Sequence, residues 1–169
     1  MEQVRTSDIA TERDPGAPLL RADQGPVAVL TLNRPVARNC LSENLLAALH
    51  AAITEIGGSD AVRAIVITGA GSAFSSGHDL KELSSHRTDP DRGKAYFAKI
   101  MDDCSRMMLS IVRSPKPVIA AVNGIATAAG CQLAATCDLA VASQDARFAT
   151  PGVNIGLFCS TPAVAPIWR

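Results

Sequence analysis

The chain has 169 residues, of which 47% are hydrophobic and 19% charged, so it can bury one compact core and is too apolar for a disordered protein. Sixteen basic residues balance sixteen acidic ones, and this zero net charge gives no electrostatic footprint for nucleic acid or an anionic membrane surface. We therefore expect small-molecule partners or further copies of the chain, with no nucleic acid and no membrane.

The N-terminal residues 1–16 predict a polar tail, and residues 17–169 predict one folded domain. The tail has acidic residues throughout and no apolar run before Pro18, unlike a secretory signal or an organellar transit peptide. The expected location is therefore cytoplasmic. The five cysteines form no CxxC pair, and with three scattered histidines they show no metal-ligand spacing, so no metal site is expected.

The first predicted elements are a hairpin and a helix. The segment "PLLRADQGPVAVLTLNRP" alternates around Gln24-Gly25 and predicts two strands that stop at Pro35. The turn "NRPVARN" follows. Ser42 is a suitable N-cap for a helix predicted from Glu43 to Ile56.

Strands and helices then alternate along the chain. Buried strands are predicted in "VRAIVITG", "KPVIAAVNG" and, as a third copy, "DLAVAS". Helices are predicted in "GKAYFAKIMDDCSRMMLSIV" and "AAGCQLAATC". This order indicates a layered α/β fold with loops gathered at one end, where functional sites usually form.

Two of these loops end in predicted helix starts. In "GSAFSSGHDL", Asp79 fits the N-cap of a short helix, with Glu82 at the reciprocal capping-box position. After the next strand, Asn123-Gly124 makes a turn and Thr127 can cap the helix that opens at Ala128. Peptide N–H groups at helix starts are unpaired, and two of them aimed at one point form an oxyanion hole. The alternative is that the small residues only permit tight turns.

Three motifs in this order resemble the crotonase superfamily, also called enoyl-CoA hydratase/isomerase. They are "NRPVARNCLS", "VITGAGSAFSSGHDLKEL" and "KPVIAAVNGIATAAGCQLAATCDLAVASQDARFATPGVNIGL". The resemblance implies a crotonase-like β-β-α superhelix, or spiral, that assembles as a homo-trimer or hexamer. It also implies an acyl-CoA substrate, with coenzyme A as part of that substrate and no separate cofactor.

By motif position, the resemblance implies that the N–H groups of Ser76 and Ala129 bind the thioester oxygen. Gly77, His78 and Asp79 are then expected to line the acyl and pantetheine path. Hydratases of the family also use two glutamates for proton transfer. The matching positions are Gln132 and Gly152, and neither residue can act as a general acid or base.

His78 is a candidate substitute for the lost acid-base groups, because a loop imidazole can titrate near neutrality. The alternative for His78 is a surface position or a contact with a CoA phosphate. Gln132 is expected either to position substrate or to pack within the protein. Members of the family are longer, so a C-terminally truncated version of the fold is expected. The segment "LFCSTPAVAPIWR", which ends at Arg169, is then expected to begin a helix.

Four functional hypotheses follow. The first is an enoyl-CoA hydratase/isomerase-like enzyme of fatty-acid metabolism, a lyase or isomerase with low or altered hydratase activity. The second is a non-catalytic acyl-CoA-binding or regulatory protein. The third, a serine hydrolase built on Ser75 or Ser76 with His78 and Asp79, lacks a G-x-S-x-G elbow. The fourth, nucleotide binding by "TGAGSAF", lacks both the dinucleotide fingerprint and the P-loop lysine.

Overall fold

The computed structural model describes residues 16–156, which form eight strands and four α-helices. The strands are β1 (Leu19–Gln24), β2 (Val27–Leu32), β3 (Ala64–Gly69), β4 (Ala73–Ser75), β5 (Val118–Val122), β6 (Ile125–Thr127), β7 (Leu139–Ala142) and β8 (Arg147–Ala149). The helices are α1 (Glu43–Gly57), α2 (Leu80–Ser85), α3 (Lys94–Val112) and α4 (Ala129–Thr136). Short 3-10 helices lie at Pro35–Ala37, His86–Thr88 and Pro151–Ile155.

The strands form two sheets that grow together along the chain. The larger sheet has the order β1-β2-β3-β5-β7, and the smaller has the order β4-β6-β8. Only β1 and β2 pair antiparallel, and all other pairs in these sheets are parallel. From β3 onward, each turn of the chain therefore adds one strand to each sheet before the next helix, which is the β-β-α spiral that the family resemblance implies.

The core lies between the larger sheet and the helices α1 and α3. Strands β2 and β5 alternate between buried and half-buried residues, so one face of each packs inward. The interior positions of the two helices recur at spacings of three and four. These fully or nearly buried positions are Leu45, Leu46, Leu49, Ile53 and Ile56 in α1, and Ile100, Cys104, Met107, Met108 and Ile111 in α3.

The predicted hairpin and α1 are confirmed, and Ser42 caps α1 by accepting the Leu45 N–H at 3.3 Å. Two short strands were missed. The segments of β4 and β6 were expected to be loop because three residues are too few to show a period of two. Pairing within the smaller sheet, rather than local sequence, makes these segments extended.

The third predicted strand, β7, is present but is not buried. All four of its residues are exposed, including Leu139 at 65% and Val141 at 66%. The reason is its place at the edge of the larger sheet, where β5 is its only neighbour among the described strands.

Several expectations lie beyond this part of the chain. The polar tail, except for Gly16, and the helix expected in "LFCSTPAVAPIWR" fall outside residues 16–156. Within those residues, no helix is both long enough and apolar enough to cross a membrane. The same range holds no cluster of three or more His, Cys, Asp or Glu side chains that could bind a metal ion.

Candidate functional site

The loop at residues 76–79, called the site loop below, runs from β4 to α2 and was expected to present the Ser76 N–H to a ligand. That expectation is wrong, because the Ser76 N–H donates to the Arg38 carbonyl at 3.0 Å. The next N–H, that of Gly77, donates to the Ser75 hydroxyl oxygen at 3.3 Å. Both groups are therefore committed within the protein.

His78 supplies the unpaired N–H of the site loop. Leu41 forms a parallel bridge opposite His78, donating its N–H to the Gly77 carbonyl at 2.7 Å and accepting the Asp79 N–H at 3.3 Å. In such a bridge the central residue turns its own N–H away from the neighbouring strand. Among residues 16–156 the His78 N–H accordingly has no acceptor.

A second unpaired N–H belongs to Ala129, the first residue of α4. The preceding N–H, from Ala128, donates to the Ala149 carbonyl at 2.9 Å, whereas that of Ala129 has no acceptor in the described part of the chain. Thr127 does not cap this helix as predicted. Its hydroxyl instead donates to the Ser76 carbonyl at 3.1 Å and so joins α4 to the site loop.

Two glycines allow the site loop and α4 to come this close. Gly77 has a φ of +87°, and a Cβ on it would lie 3.1 Å from the Ala129 nitrogen. Gly130 packs on β4, where a Cβ would lie 2.2 Å from the Ser75 carbonyl oxygen. The His78 N–H and the Ala129 N–H therefore belong to two backbone segments in direct contact.

The segment of residues 34–41, called the support segment below, fixes the other side of the site loop. Asn39 is fully buried, and its side-chain nitrogen donates to the carbonyls of Ala70 at 2.9 Å and Ala73 at 2.7 Å. Its carbonyl oxygen accepts the Ser75 hydroxyl at 2.9 Å. The sequence predicted this segment only as a turn. The polar Asn39 directly before the apolar "CL" was the available signal.

An ion pair closes the same arrangement. The Arg34 guanidinium donates to Asp79 Oδ2 at 2.8 Å and, through its other nitrogen, to the Cys40 carbonyl at 2.9 Å. Burial raises the pKa of Asp79, but hydrogen bonds from Arg34, the Cys40 thiol and the Glu82 N–H outweigh it and lower that pKa overall. Burial is also the main cause that raises the pKa of Cys40 to about 11, so its thiol stays protonated.

Asp79 caps α2 as predicted, accepting the N–H groups of Lys81 at 3.1 Å and Glu82 at 3.3 Å. The reciprocal half of the capping box is absent. Glu82 accepts the Glu43 N–H at the start of α1 instead, at 2.9 Å, because the Asp79 N–H is already bonded to Leu41. Glu82 thus joins two helices rather than closing one.

The side chains of the predicted serine triad are not brought together. The Ser75 hydroxyl donates to Asn39, Asp79 faces Arg34, and the His78 Nδ1 is buried without a partner in the described residues. Burial lowers the pKa of His78, which keeps the imidazole neutral at pH 7. The hydrolase hypothesis has no support in this arrangement.

The two positions of the lost glutamates lie on different elements. Gln132 is half-buried one helical turn after Ala129, and its side-chain amide has no hydrogen-bond partner among the described residues. Gly152 lies in the 3-10 helix Pro151–Ile155, which follows β8. Neither position offers a group that titrates in the range useful for proton transfer.

The family model for enoyl-CoA hydratase/isomerase matches residues 22–167. The chain belongs to this family. It is 46% identical over 155 residues to mouse enoyl-CoA hydratase domain-containing protein 3, mitochondrial, which covers 92% of this chain and 50% of the relative. The forms "FSSGHDLKEL" and "ATAAGCQL" predict similarity to this group, and the comparison confirms it.

Solved structures confirm the crotonase fold. A crystal structure of an enoyl-CoA hydratase from Mycobacterium smegmatis superimposes with a TM-score of 0.79 at 54% identity, covering 88% of this chain and 56% of the other. Human enoyl-CoA hydratase domain-containing protein 3 gives a TM-score of 0.80 at 46% identity, covering 89% and 58%. The chain spans about half the length of the curated relatives it matches.

The predicted cytoplasmic location is contradicted. The mouse, human and rat relatives are all named mitochondrial, and these names point to mitochondria rather than to the cytoplasm. The prediction relied on the acidic residues of a short N-terminal segment, and that composition proved too weak a criterion to exclude import.

Proposed function

We propose that this chain binds acyl-CoA thioesters and holds the thioester carbonyl oxygen between the peptide N–H groups of His78 and Ala129. One observation carries the proposal: these two N–H groups have no acceptor within residues 16–156 and belong to backbone segments that touch at Gly77. Donors fixed in this way stabilise negative charge that develops on a carbonyl oxygen. The assignment replaces Ser76 by His78 and keeps Ala129.

The reaction class proposed is that of an enoyl-CoA hydratase/isomerase-like lyase or isomerase in fatty-acid metabolism. Family membership supports the substrate class. Hydration itself should be slow, because each missing general acid or base costs about 10²- to 10⁴-fold in rate. Coenzyme A enters as part of the substrate, through the acyl and pantetheine path expected beside Gly77, His78 and Asp79.

A second candidate is an acyl-CoA-binding protein without turnover. It is favoured by the presence of Gln132 and Gly152 at the two glutamate positions. With these residues the proposed oxyanion donors remain, but both proton-transfer groups are absent. The two candidates share the binding site and differ only in whether bound acyl-CoA reacts.

Calorimetric titration of the 169-residue chain tests the site. The ligands are crotonyl-CoA and its thioether analogue, which differs from it by having a methylene group in place of the carbonyl. Two hydrogen bonds to the oxygen, at about 0.5–1.5 kcal/mol each, predict about tenfold tighter binding of the thioester. Equal affinity for the two ligands would refute the oxyanion site.

Absorbance of the enoyl thioester, followed in the same samples, separates the two candidates. Slow loss of crotonyl-CoA, or turnover of another acyl-CoA in a substrate screen, supports the enzyme. Binding with no turnover of any acyl-CoA tested supports the binding protein.

A further inference from the structure

The support segment bonds to the site loop through Arg34, Arg38 and Leu41, and Asn39 bonds to the end of β4 directly before that loop. The Arg38 carbonyl accepts the Ser76 N–H, the Asn39 carbonyl accepts the Ser75 hydroxyl, and Leu41 pairs on both sides of His78. These contacts determine which way the peptide plane before His78 turns. The direction of the unpaired N–H is therefore set from a segment about forty residues earlier in the chain.

Asn39 determines the shape of the support segment itself. Its Oδ1 accepts the Arg34 N–H at 2.8 Å, while its Nδ2 donates to two carbonyls on the far side. Arg38 and Asn39 both have a φ of 52°, a backbone region that Asn tolerates better than most residues. This side chain closes the turn and ties it to β4 at the same time.

Arg34 connects the two ends of this arrangement. One nitrogen of its guanidinium donates to the Cys40 carbonyl and the other to Asp79 Oδ2, directly after His78. The planar fork of arginine makes both bonds at once, whereas a lysine ammonium is a single point charge. Arg34 thus holds the support segment and the site loop at a fixed separation.

We infer that Arg34 and Asn39 are positioning residues that aim the His78 N–H at the ligand oxygen, through the bonds of the support segment to the site loop. The inference rests on the proposed acyl-CoA site and deepens it. Neither side chain needs to contact the ligand, because each acts by fixing backbone that does.

The test compares Arg34→Gln and Arg34→Lys with the control Arg38→Gln. Arg38 is exposed, belongs to the same support segment and bonds to the site loop only through its carbonyl, which the substitution keeps. The readout is the ratio of the affinities for crotonyl-CoA and its thioether analogue. This ratio isolates the carbonyl oxygen and cancels any loss of contacts to the CoA moiety.

We expect the affinity ratio to fall from about tenfold to about threefold in Arg34→Gln, because one of two oxyanion hydrogen bonds is misaligned. Arg34→Lys should lie between, and Arg38→Gln should keep the full ratio. An unchanged ratio in folded Arg34→Gln would overturn the inference, whatever happened to the thermal stability.

Amide hydrogen exchange on the ligand-free chain gives a second, independent readout. In Arg34→Gln, the Ser76 and Asp79 amides should lose about tenfold in protection, while buried amides of α1 keep theirs. Equal protection in Arg34→Gln and wild type would overturn the inference. If wild type shows no preference for the thioester, the proposed function fails, and the exchange result alone still decides whether Arg34 positions the site loop.

Discussion

The two sides of the candidate site are built in different ways. The site loop is held by bonds to the support segment, whose shape depends on the polar side chains of Asn39 and Arg34. The start of α4 is held by backbone bonds and by close packing of small residues, with Gly130 against the Ser75 carbonyl. One side depends on which polar groups are present, and the other depends on the absence of side chains.

This difference indicates which substitutions each side tolerates. Close packing at α4 fails as soon as a methyl group is added, since the nearest atom is backbone and cannot rotate away. The polar network fails only when a donor or acceptor is lost, and a substitution that keeps the hydrogen bond is tolerated.

The largest effect is expected from restoring the two glutamates, because the backbone of the site is present and the proton-transfer side chains are missing. Gln132→Glu combined with Gly152→Glu restores two titratable groups. Hydration of crotonyl-CoA should rise about 10²- to 10⁴-fold for each group that becomes effective. Steady-state absorbance measures it, with Gln132→Met as the control for the change at α4. No gain in a folded variant would contradict the assignment of these positions.

Gly130→Ala tests close packing directly. Its Cβ would lie 2.2 Å from the Ser75 carbonyl oxygen, so β4 and α4 must separate. We expect the free energy of unfolding to fall by about 3 kcal/mol, measured by urea denaturation. Gly58→Ala is the matched control, because its Cβ meets the Glu55 oxygen at an ordinary 3.6 Å, and its stability should stay within about 0.5 kcal/mol of wild type.

Asn39→Ala tests the polar side. The substitution leaves the Ala70 and Ala73 carbonyls and the Arg34 N–H without their partner. Buried groups left unpaired predict a loss of about 2 kcal/mol in the free energy of unfolding. Asn44→Ala, on the exposed face of α1, should cost less than about 0.5 kcal/mol under the same conditions. Equal losses for the two variants would show that Asn39 is not a structural anchor.

Asp79→Asn gives the smallest effect, and that effect depends on pH. The pKa of Asp79 is lowered in the folded chain from an unfolded value of 3.8, so its carboxylate stabilises the fold above that pH. The stabilisation is lost as the pH falls through the lower folded pKa. We expect wild type to exceed the variant by about 1 kcal/mol at pH 6 and the difference to shrink below about pH 4. A difference that grows on acidification would contradict the ion pair with Arg34.

The sequence predicted more of the fold than of the site. Strands and helices of five residues or more carry their own periodicity, and α1 with its Ser42 cap was found almost to the residue. Strands β4 and β6 were missed because three residues hold no period, and their structure comes from pairing across the smaller sheet. The prediction that β7 is buried was wrong, because burial depends on neighbours in the sheet rather than on composition.

In the site, Ala129 came from the family resemblance, and its N–H is unpaired within residues 16–156, as is usual at a helix start. Its role in binding a thioester oxygen stays a proposal. The prediction that the Ser76 N–H is free to bind a ligand was wrong. Its N–H is consumed by the Arg38 carbonyl, and no local pattern reveals which carbonyl lies opposite a loop. Asn39 and Arg34 were missed because the partners that join them to β4 and to the site loop lie between thirty and forty-five residues away, beyond any helical or strand spacing.

The backbone of Ala128 has a consequence for engineering this chain. With a φ of 50° and a ψ of −123°, this alanine occupies a conformation that glycine adopts freely and that costs other residues about 1–3 kcal/mol. The strained residue directly precedes Ala129, whose N–H is proposed to bind the thioester oxygen. Replacing Ala128 by glycine would remove this strain and raise thermostability. The same change would make the backbone before Ala129 more flexible, so the Ala129 N–H would be held less firmly in place before substrate binds.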